Sequence, residues 1–149
     1  MLNLCVHTYS EVRSICHLVK EGIAGVDILN QIAFETKRFI PNNSVIIPIP
    51  SHIGYATYTL DIALRMGVQV LDCIECEPHQ SLYTLKKQGI KVSPAYLKFR
   101  LKSGVTLPKN NVYLFDLVFA TGTTEKAAQA LFDFPLPMLV YAYDDKILM

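Results

Sequence analysis

Three short runs of apolar residues constrain the fold of this chain more than any other feature of its sequence. They cover residues 45–50, 112–117 and 138–143, and Asp116 is the only charged residue within them. Continuous apolar runs of this length are typical of strands buried on both faces, as in parallel sheets. We therefore predict three central strands, and residues 68–74 are a fourth strand candidate.

Helical patterns separate the apolar runs. Helical periodicity covers residues 9–40, where Gly22 and Gly25 divide it into two helices, and residues 55–66 and 124–131. Ser10 is the predicted N-cap of the first helix, and Thr123 or Thr124 caps the last one. The alternation of strands and helices predicts an α/β fold with a Rossmann-like parallel sheet flanked by helices.

Composition narrows the class of protein. The chain has 149 residues, 51% of them hydrophobic and 18% charged, which predicts one domain with a substantial core. A net charge of +1 argues against a general nucleic-acid coat or a membrane-surface protein. The first residues lack the basic start and long apolar stretch of a signal peptide, and no apolar run is long enough to cross a bilayer. We expect a cytoplasmic protein.

A basic segment interrupts the pattern at residues 77–110. It holds half of the Lys and Arg residues, seven of 14: Lys86, Lys87, Lys91, Lys98, Arg100, Lys102 and Lys109. A short helix is predicted over residues 82–87 and a short strand over residues 96–99. Loops of this length inside a compact domain are usually functional, so we predict a flexible basic loop over the site.

Cys73 and Cys76 form a CxxC pair at the end of a predicted strand. A zinc site would need two more ligands, and Cys5 and Cys16 lie far away in sequence without forming a second pair. A redox pair normally opens a helix, whereas Glu77 and Pro78 follow here. Two structural thiols are the leading interpretation, with zinc and redox roles as alternatives.

The segment after the strand at residues 112–117 suits an anion. Backbone amides of a strand-to-helix turn and the start of the helix attract phosphate, and Gly122 allows close approach. Thr121, Thr123 and Thr124 add hydroxyl donors. The turn lacks the spacing and the lysine of a Walker A loop, so a phosphate monoester is the predicted ligand. A Thr-rich helix cap without a ligand is the alternative.

Residues 112–124, "VYLFDLVFATGTT", resemble the signature for phosphoribosyl diphosphate (PRPP) of the type I phosphoribosyltransferases. Further segments resemble that family in order along the chain. These are "HTYSEVRSICHLVKEG" (7–22), which is similar to its ComF-like, competence-associated branch, "VIIPIPSHIGYA" (45–56) and "HQSLYTLKKQG" (79–89). The resemblance implies a type I phosphoribosyltransferase fold, with a small N-terminal helical hood at residues 1–43 and an α/β core at residues 44–149.

The resemblance also implies a reaction and its residues. It implies transfer of a ribosyl 5-phosphate from PRPP to a nitrogen base, with release of pyrophosphate and with Mg²⁺ bound to the substrate. Asp116 takes the place of an acid that contacts the ribose hydroxyls. The phosphate loop corresponds to Ala120, Thr121, Gly122, Thr123 and Thr124, and the pyrophosphate loop to Ser51, His52 and Ile53. The candidate cations over the leaving group are Lys86, Lys87, Lys98 and Arg100. Dimers are common in that family.

Leu117 stands where the family typically carries a second acid. Ala120 replaces a residue that is often Asp or Thr, and the predicted pyrophosphate loop contains no Lys or Arg. One lost charge-assisted contact to a ribose hydroxyl costs about 1.5–3 kcal/mol. The leading prediction is therefore a phosphoribosyltransferase-like protein that binds PRPP or a nucleoside 5′-phosphate.

Two alternatives to this prediction stay open. One is a catalytically degenerate protein that binds a nucleotide, PRPP or a partner protein. The other, less favoured, is nucleic-acid handling, against which the low net charge and the absence of interleaved aromatic residues count. The sequence contains no base-specific motif that would name the acceptor.

Overall fold

The computed structural model describes residues 3–108 and 111–144. The strands are β1 (Asn3–Thr8), β2 (Val45–Pro48), β3 (Gln69–Val70), β4 (Ile74–Glu75), β5 (Arg100–Leu101), β6 (Val112–Phe119) and β7 (Met138–Tyr143). The helices are α1 (Tyr9–Lys20), α2 (Val26–Lys37), α3 (Tyr58–Leu64), α4 (Leu82–Lys87), a 3₁₀ helix (Pro94–Leu97) and α5 (Thr123–Gln129).

Five strands form one parallel sheet in the order β1-β7-β6-β2-β3, and helices cover both of its faces. Helices α1, α2 and α3 bury apolar side chains in a core on one face, and α5 does so in a second core on the other. The predicted α/β fold with a Rossmann-like parallel sheet is confirmed. No helix within the described residues is long and apolar enough to cross a membrane.

The prediction that the chain begins with a purely helical segment is wrong for Asn3–Thr8. This segment is the edge strand β1, paired with β7 in the register Cys5↔Val140. Leu4 and Val6 pack against the first core and Cys5 packs against the second, which is the alternation of a strand. The polar residue in the run, His7, is paired with Glu35 of α2, so it does not stop the strand.

Helix α1 begins directly after β1, with Thr8 rather than the predicted Ser10 as its N-cap. The Glu11 carboxylate accepts hydrogen bonds from the Thr8 amide at 3.1 Å and from the Thr8 hydroxyl at 2.8 Å. These two bonds stabilise the sharp change from strand to helix.

The predicted fourth strand at residues 68–74 is two strands in different sheets. β3 extends the main sheet, whereas β4 pairs with β5 in a separate antiparallel ribbon. The predicted strand at residues 96–99 is also wrong, because Pro94–Leu97 is a 3₁₀ helix with Leu97 buried. The predicted short helix is confirmed as α4 (Leu82–Lys87), and Lys109 lies outside the described residues.

Leu117 is a core residue. Its side chain has no exposed surface and packs in the first core beside Phe115 and Tyr141. Asp116, its neighbour along the strand, belongs to neither core, and its carboxylate accepts a hydrogen bond from the Leu117 amide. An acid at position 117 would therefore be buried in the first core.

We expect Leu117→Asp to lower the free energy of unfolding by about 3–5 kcal/mol, because a carboxylate would be buried without a partner. Urea denaturation of the purified variant measures this loss. Leu64→Asp is the matched control, because Leu64 is 61% exposed on α3 and should lose less than about 1 kcal/mol. A Leu117→Asp variant as stable as the control would contradict the placement of this side chain.

Candidate functional site

The order of the strands defines a crevice between β2 and β6. The chain leaves β2 through α3 to reach β3 on one side, and it leaves β6 through α5 to reach β7 on the other side. The two connecting helices pack on opposite faces of the sheet. Such a switch point at the carboxyl ends of parallel strands is where open α/β sheets bind ligands. Both predicted ligand loops directly follow these two strands.

Strand β6 extends beyond β2 and forms one wall of the crevice. The last backbone hydrogen bond between them runs from the Ile49 amide to the Phe115 carbonyl at 2.9 Å. Beyond that point β6 pairs with β7 alone, as far as the register Phe119↔Tyr143. Asp116 is the first residue of this extension, so the predicted ribose-binding acid lies at the switch point.

The loop after β2 contains the predicted pyrophosphate residues Ser51, His52 and Ile53. His52 and Ile53 are exposed. The Ser51 hydroxyl accepts from the Ile53 amide at 3.4 Å, and the Ser51 carbonyl accepts from the Gly54 amide at 3.1 Å. Two amides of this loop are thus already used inside it, which leaves fewer donors for an anion.

Residues 76–79 hold this loop in place. The Cys76 amide donates to the Gly54 carbonyl at 2.9 Å, and the His79 amide donates to the His52 carbonyl at 2.8 Å. Gly54 has a φ of +108°, and a Cβ atom on it would lie 2.6 Å from the Cys76 carbonyl oxygen. Only glycine fits where the two segments approach so closely.

The turn after β6 carries the predicted phosphate loop. Gly122, with a φ of +85°, is the N-cap of α5, where Thr123 or Thr124 was predicted as the cap. The hydroxyl groups of Thr121 and Thr123 lie 2.9 Å apart and form a hydrogen bond, with Thr121 exposed. The chain thereby places two hydroxyl groups side by side at the start of α5, and Ala120 and Thr124 flank them half-buried.

Glu125 is a site residue that the sequence analysis missed. It lies in the first turn of α5, is 4% exposed, and interacts with Asp116. Burial raises the pKa of the Glu125 carboxyl well above its usual range, and the nearby charge of Asp116 raises it further. An acid directly after a Thr-rich turn resembles an ordinary helix-start residue in sequence, so no local signal marks its burial.

Asp116 is surrounded by groups from three other elements. Burial raises the pKa of its carboxyl, whereas Lys20 of α1, the Leu117 amide and Glu125 act in the opposite direction. The Leu117 amide donates to Asp116 Oδ1 at 2.7 Å. Burial first, and the Asp116 charge second, raise the pKa of Tyr58 on α3. Lys20 and Tyr58 thus act on the same group, and Tyr58 also packs against the first core.

The four predicted cations of the basic segment differ in their contacts, because one of them is held in ion pairs. Arg100 is engaged with Glu77 at 3.1 Å and Glu75 at 3.5 Å, so a ligand would have to displace these carboxylates. Lys86 and Lys98 are exposed, and the Lys87 ammonium lies 4.5 Å from the centre of the Tyr83 ring. No Asp or Glu occurs between residues 78 and 115.

Helix α4 contributes one group that acts on Tyr9, the residue that follows β1. The pKa of Tyr9, which follows β1, is raised mainly by burial, and Asp144 and Tyr83 are among the nearby groups that raise it further. Tyr83 belongs to α4, next to Lys86 and Lys87.

The CxxC pair is buried. Cys73 is part of the second core, and the Cys76 thiol lies 3.9 Å from the Ser51 carbonyl oxygen. Burial raises the pKa of Cys73 to about 11, which makes its thiolate scarce at neutral pH. Among residues 3–108 and 111–144, no three His, Cys, Asp or Glu side chains are grouped to hold a metal ion.

We expect Gly54→Ala to destabilise the protein by at least about 2 kcal/mol, since it combines a disfavoured backbone angle with a clash against Cys76. Gly104→Ala is the control, because Gly104 has a φ of +77° but open space around it and should lose about 1 kcal/mol. Thermal or urea unfolding measures both. Equal losses would show that the loop is not held against residue 76.

The raised pKa of Glu125 predicts a pH dependence of stability. The folded state keeps a proton that the unfolded chain releases, so the free energy of unfolding falls as pH rises from the usual Glu range toward the raised value. Glu125→Gln should flatten this decline between about pH 5 and pH 8 in urea titrations. Glu21→Gln, at an exposed position, should leave it unchanged. A wild-type curve that rises over this range would refute the assignment.

No protein-family model matches this sequence, and no curated protein matches it either. The topology of the sheet and the side chains at its switch point therefore carry the functional inference.

Proposed function

We propose that this protein binds a ribose 5-phosphate group, as present in PRPP or a nucleoside 5′-phosphate, in the crevice between β2 and β6. The observation that carries this proposal is the position of Asp116. It is the first residue of β6 beyond the last hydrogen bond with the β2 segment, and the Thr-rich turn follows it by four residues. A carboxylate and a hydroxyl-lined turn at one switch point match the two ends of a ribose 5-phosphate.

Asp116 serves the sugar in this proposal. A carboxylate at the end of a strand accepts hydrogen bonds from ribose hydroxyl groups, and these charge-assisted bonds are stronger than neutral ones. Lys20 offsets part of its charge. Asp116 thereby remains an acceptor in a site that contains a second, protonated acid.

The turn at residues 120–124 serves the phosphate. The hydroxyls of Thr121 and Thr123 lie together at the start of α5, and Gly122 keeps the turn narrow. A Cβ on Gly122 would lie 3.3 Å from the Phe119 ring, so a larger residue would require a shift of a few tenths of an ångström in addition to a disfavoured φ of +85°. Lys86 and Lys87, exposed on α4, are candidates for cations that neutralise a diphosphate.

Mg²⁺ would enter the site with the ligand. Asp116 offers one carboxylate, and the described part of the chain has no cluster of three ligand side chains. Mg²⁺ commonly combines one or two carboxylates with substrate phosphates and water, so a diphosphate would supply most of its ligands. Transfer of the ribosyl group to a nitrogen base, with release of pyrophosphate, would then depend mainly on positioning and charge.

Binding without transfer is the second candidate function. Leu117 is buried in the core, and the amides of Ile53 and Gly54 are engaged within their own loop. Both observations remove contacts that would hold the ribose and the leaving diphosphate. A protein that senses PRPP or a nucleotide needs the phosphate turn and Asp116 but not a complete leaving-group site.

Isothermal titration with PRPP and Mg²⁺, and with a set of nucleoside 5′-monophosphates, tests the proposal. We expect saturable binding by the wild type and a 10- to 100-fold weaker affinity for Asp116→Asn, because one charge-assisted bond is lost. The matched control Asp133→Asn, at an exposed position, should bind like the wild type.

Two further outcomes separate the candidates. Pyrophosphate release with at least one base would favour the transferase, and binding without release across all bases would favour the sensor. Absence of binding to PRPP and to every monophosphate would refute both. Salt-sensitive retention of single-stranded DNA in a filter assay, with no nucleotide binding, would instead indicate a nucleic-acid surface on the basic segment.

A further inference from the structure

Glu125 is anomalous among the buried polar residues of the described chain. Three of them are hydroxyl residues, and each donates a hydrogen bond to a backbone carbonyl: Thr36 to Ile32, Ser44 to Pro41 and Thr59 to Ile49. The fourth buried polar residue, Glu125, is the only acid in this set. Its Oε2 atom has no hydrogen-bond partner. A buried carboxyl group with an unsatisfied oxygen costs stability.

The fold has no evident need for this acid. Ala127 and Ala128 of α5 are buried, and the 3₁₀ helix, which contains the buried Leu97, contacts α5. An unbranched apolar side chain such as methionine would fill the same volume without a polar group to satisfy. The position of the carboxyl group, rather than its contribution to packing, is therefore the feature to explain.

Asp116 is the group that Glu125 faces. Asp116 Oδ1 accepts from the Leu117 amide at 2.7 Å, and Glu125 interacts with the Asp116 carboxylate from the side of α5. The other titratable groups near the pair are Lys20 of α1 and Tyr58 of α3. A protonated Glu125 thus supplies a second donor, and two donors on different elements fix the orientation of the Asp116 carboxylate.

We propose that Glu125 is a positioning residue, which holds the Asp116 carboxylate in the orientation that accepts hydrogen bonds from the hydroxyl groups of a bound sugar. This inference rests on the proposed function, because the ligand belongs to the same crevice. Glu125 supplies from α5 the second carboxyl group of the site, which the buried side chain of Leu117 cannot supply from β6. It acts through Asp116 and not by direct contact with the ligand.

Glu125→Met separates positioning from a structural role. We expect its affinity for PRPP with Mg²⁺ to fall at least tenfold, because the Asp116 carboxylate loses a donor that fixes its orientation. Glu125→Gln keeps a donor toward Asp116 and should retain affinity within about threefold. A purely structural role predicts that Glu125→Met lowers the melting temperature and leaves the affinity unchanged.

A measurement without ligand keeps the inference separate from the proposed function. The Leu117 amide reports the ionisation of Asp116 in a ¹⁵N NMR pH titration, because it donates to Asp116 Oδ1. Loss of the Glu125 donor should move the midpoint upward by about one pH unit in Glu125→Met and leave it in place in Glu125→Gln.

The outcomes are then distinct. Failure of the wild type to bind PRPP and the monophosphates refutes the proposed function, and the titration alone then decides whether Glu125 positions Asp116. An unchanged midpoint in Glu125→Met, or a midpoint that shifts equally in both variants, overturns the inference. Wild-type affinity in Glu125→Met overturns it as well.

Discussion

The early end of β2 is the constraint on which the rest of the structure depends. Pro48 and Pro50 have no amide hydrogen, so on the side of β3 the ladder stops after the pair Ile46↔Val70. On the side of β6 it stops at Ile49, and the Ser51 amide turns to the Tyr55 carbonyl at 3.1 Å. β6 meanwhile continues to Phe119 on β7. The crevice exists because two neighbouring strands differ in length, and the sequence that stops the shorter one is local.

Electrostatics in the crevice follow from the same geometry. Beyond the end of β2, Asp116 has β7 as its neighbouring strand, and groups from α1, α3 and α5 interact with it electrostatically. Its carboxylate is then surrounded by one cation, one tyrosine and one acid. The proposed sugar ligand would find both acceptors and donors there, whereas the nearby lysine would oppose a free metal ion.

Much of the fold followed from periodicity, because long apolar runs and their flanking helices are local signals. The central strands, the parallel sheet and α4 were predicted, and so was the position of the Thr-rich turn between a strand and a helix. β1 was missed because its pattern alternates and His7 is satisfied by Glu35, a residue 28 positions away. The burial of Glu125 depends on the packing of α5 in the second core and against the 3₁₀ helix, which no window around residue 125 contains. Leu117 was recognised as a departure from the family signature, but only the structure shows that its side chain is buried in the first core.

The pairing of β1 with β7 has a consequence for how the chain reaches this structure. The first and last strands of the described chain are sheet neighbours, with Cys5 opposite Val140. Contacts between residues so distant in sequence carry a large loop-closure entropy and form slowly. During synthesis β1 cannot form its native pairing before β7 has left the ribosome. While β1 is unpaired, β7 is an exposed edge strand with unpaired backbone groups, which favours aggregation.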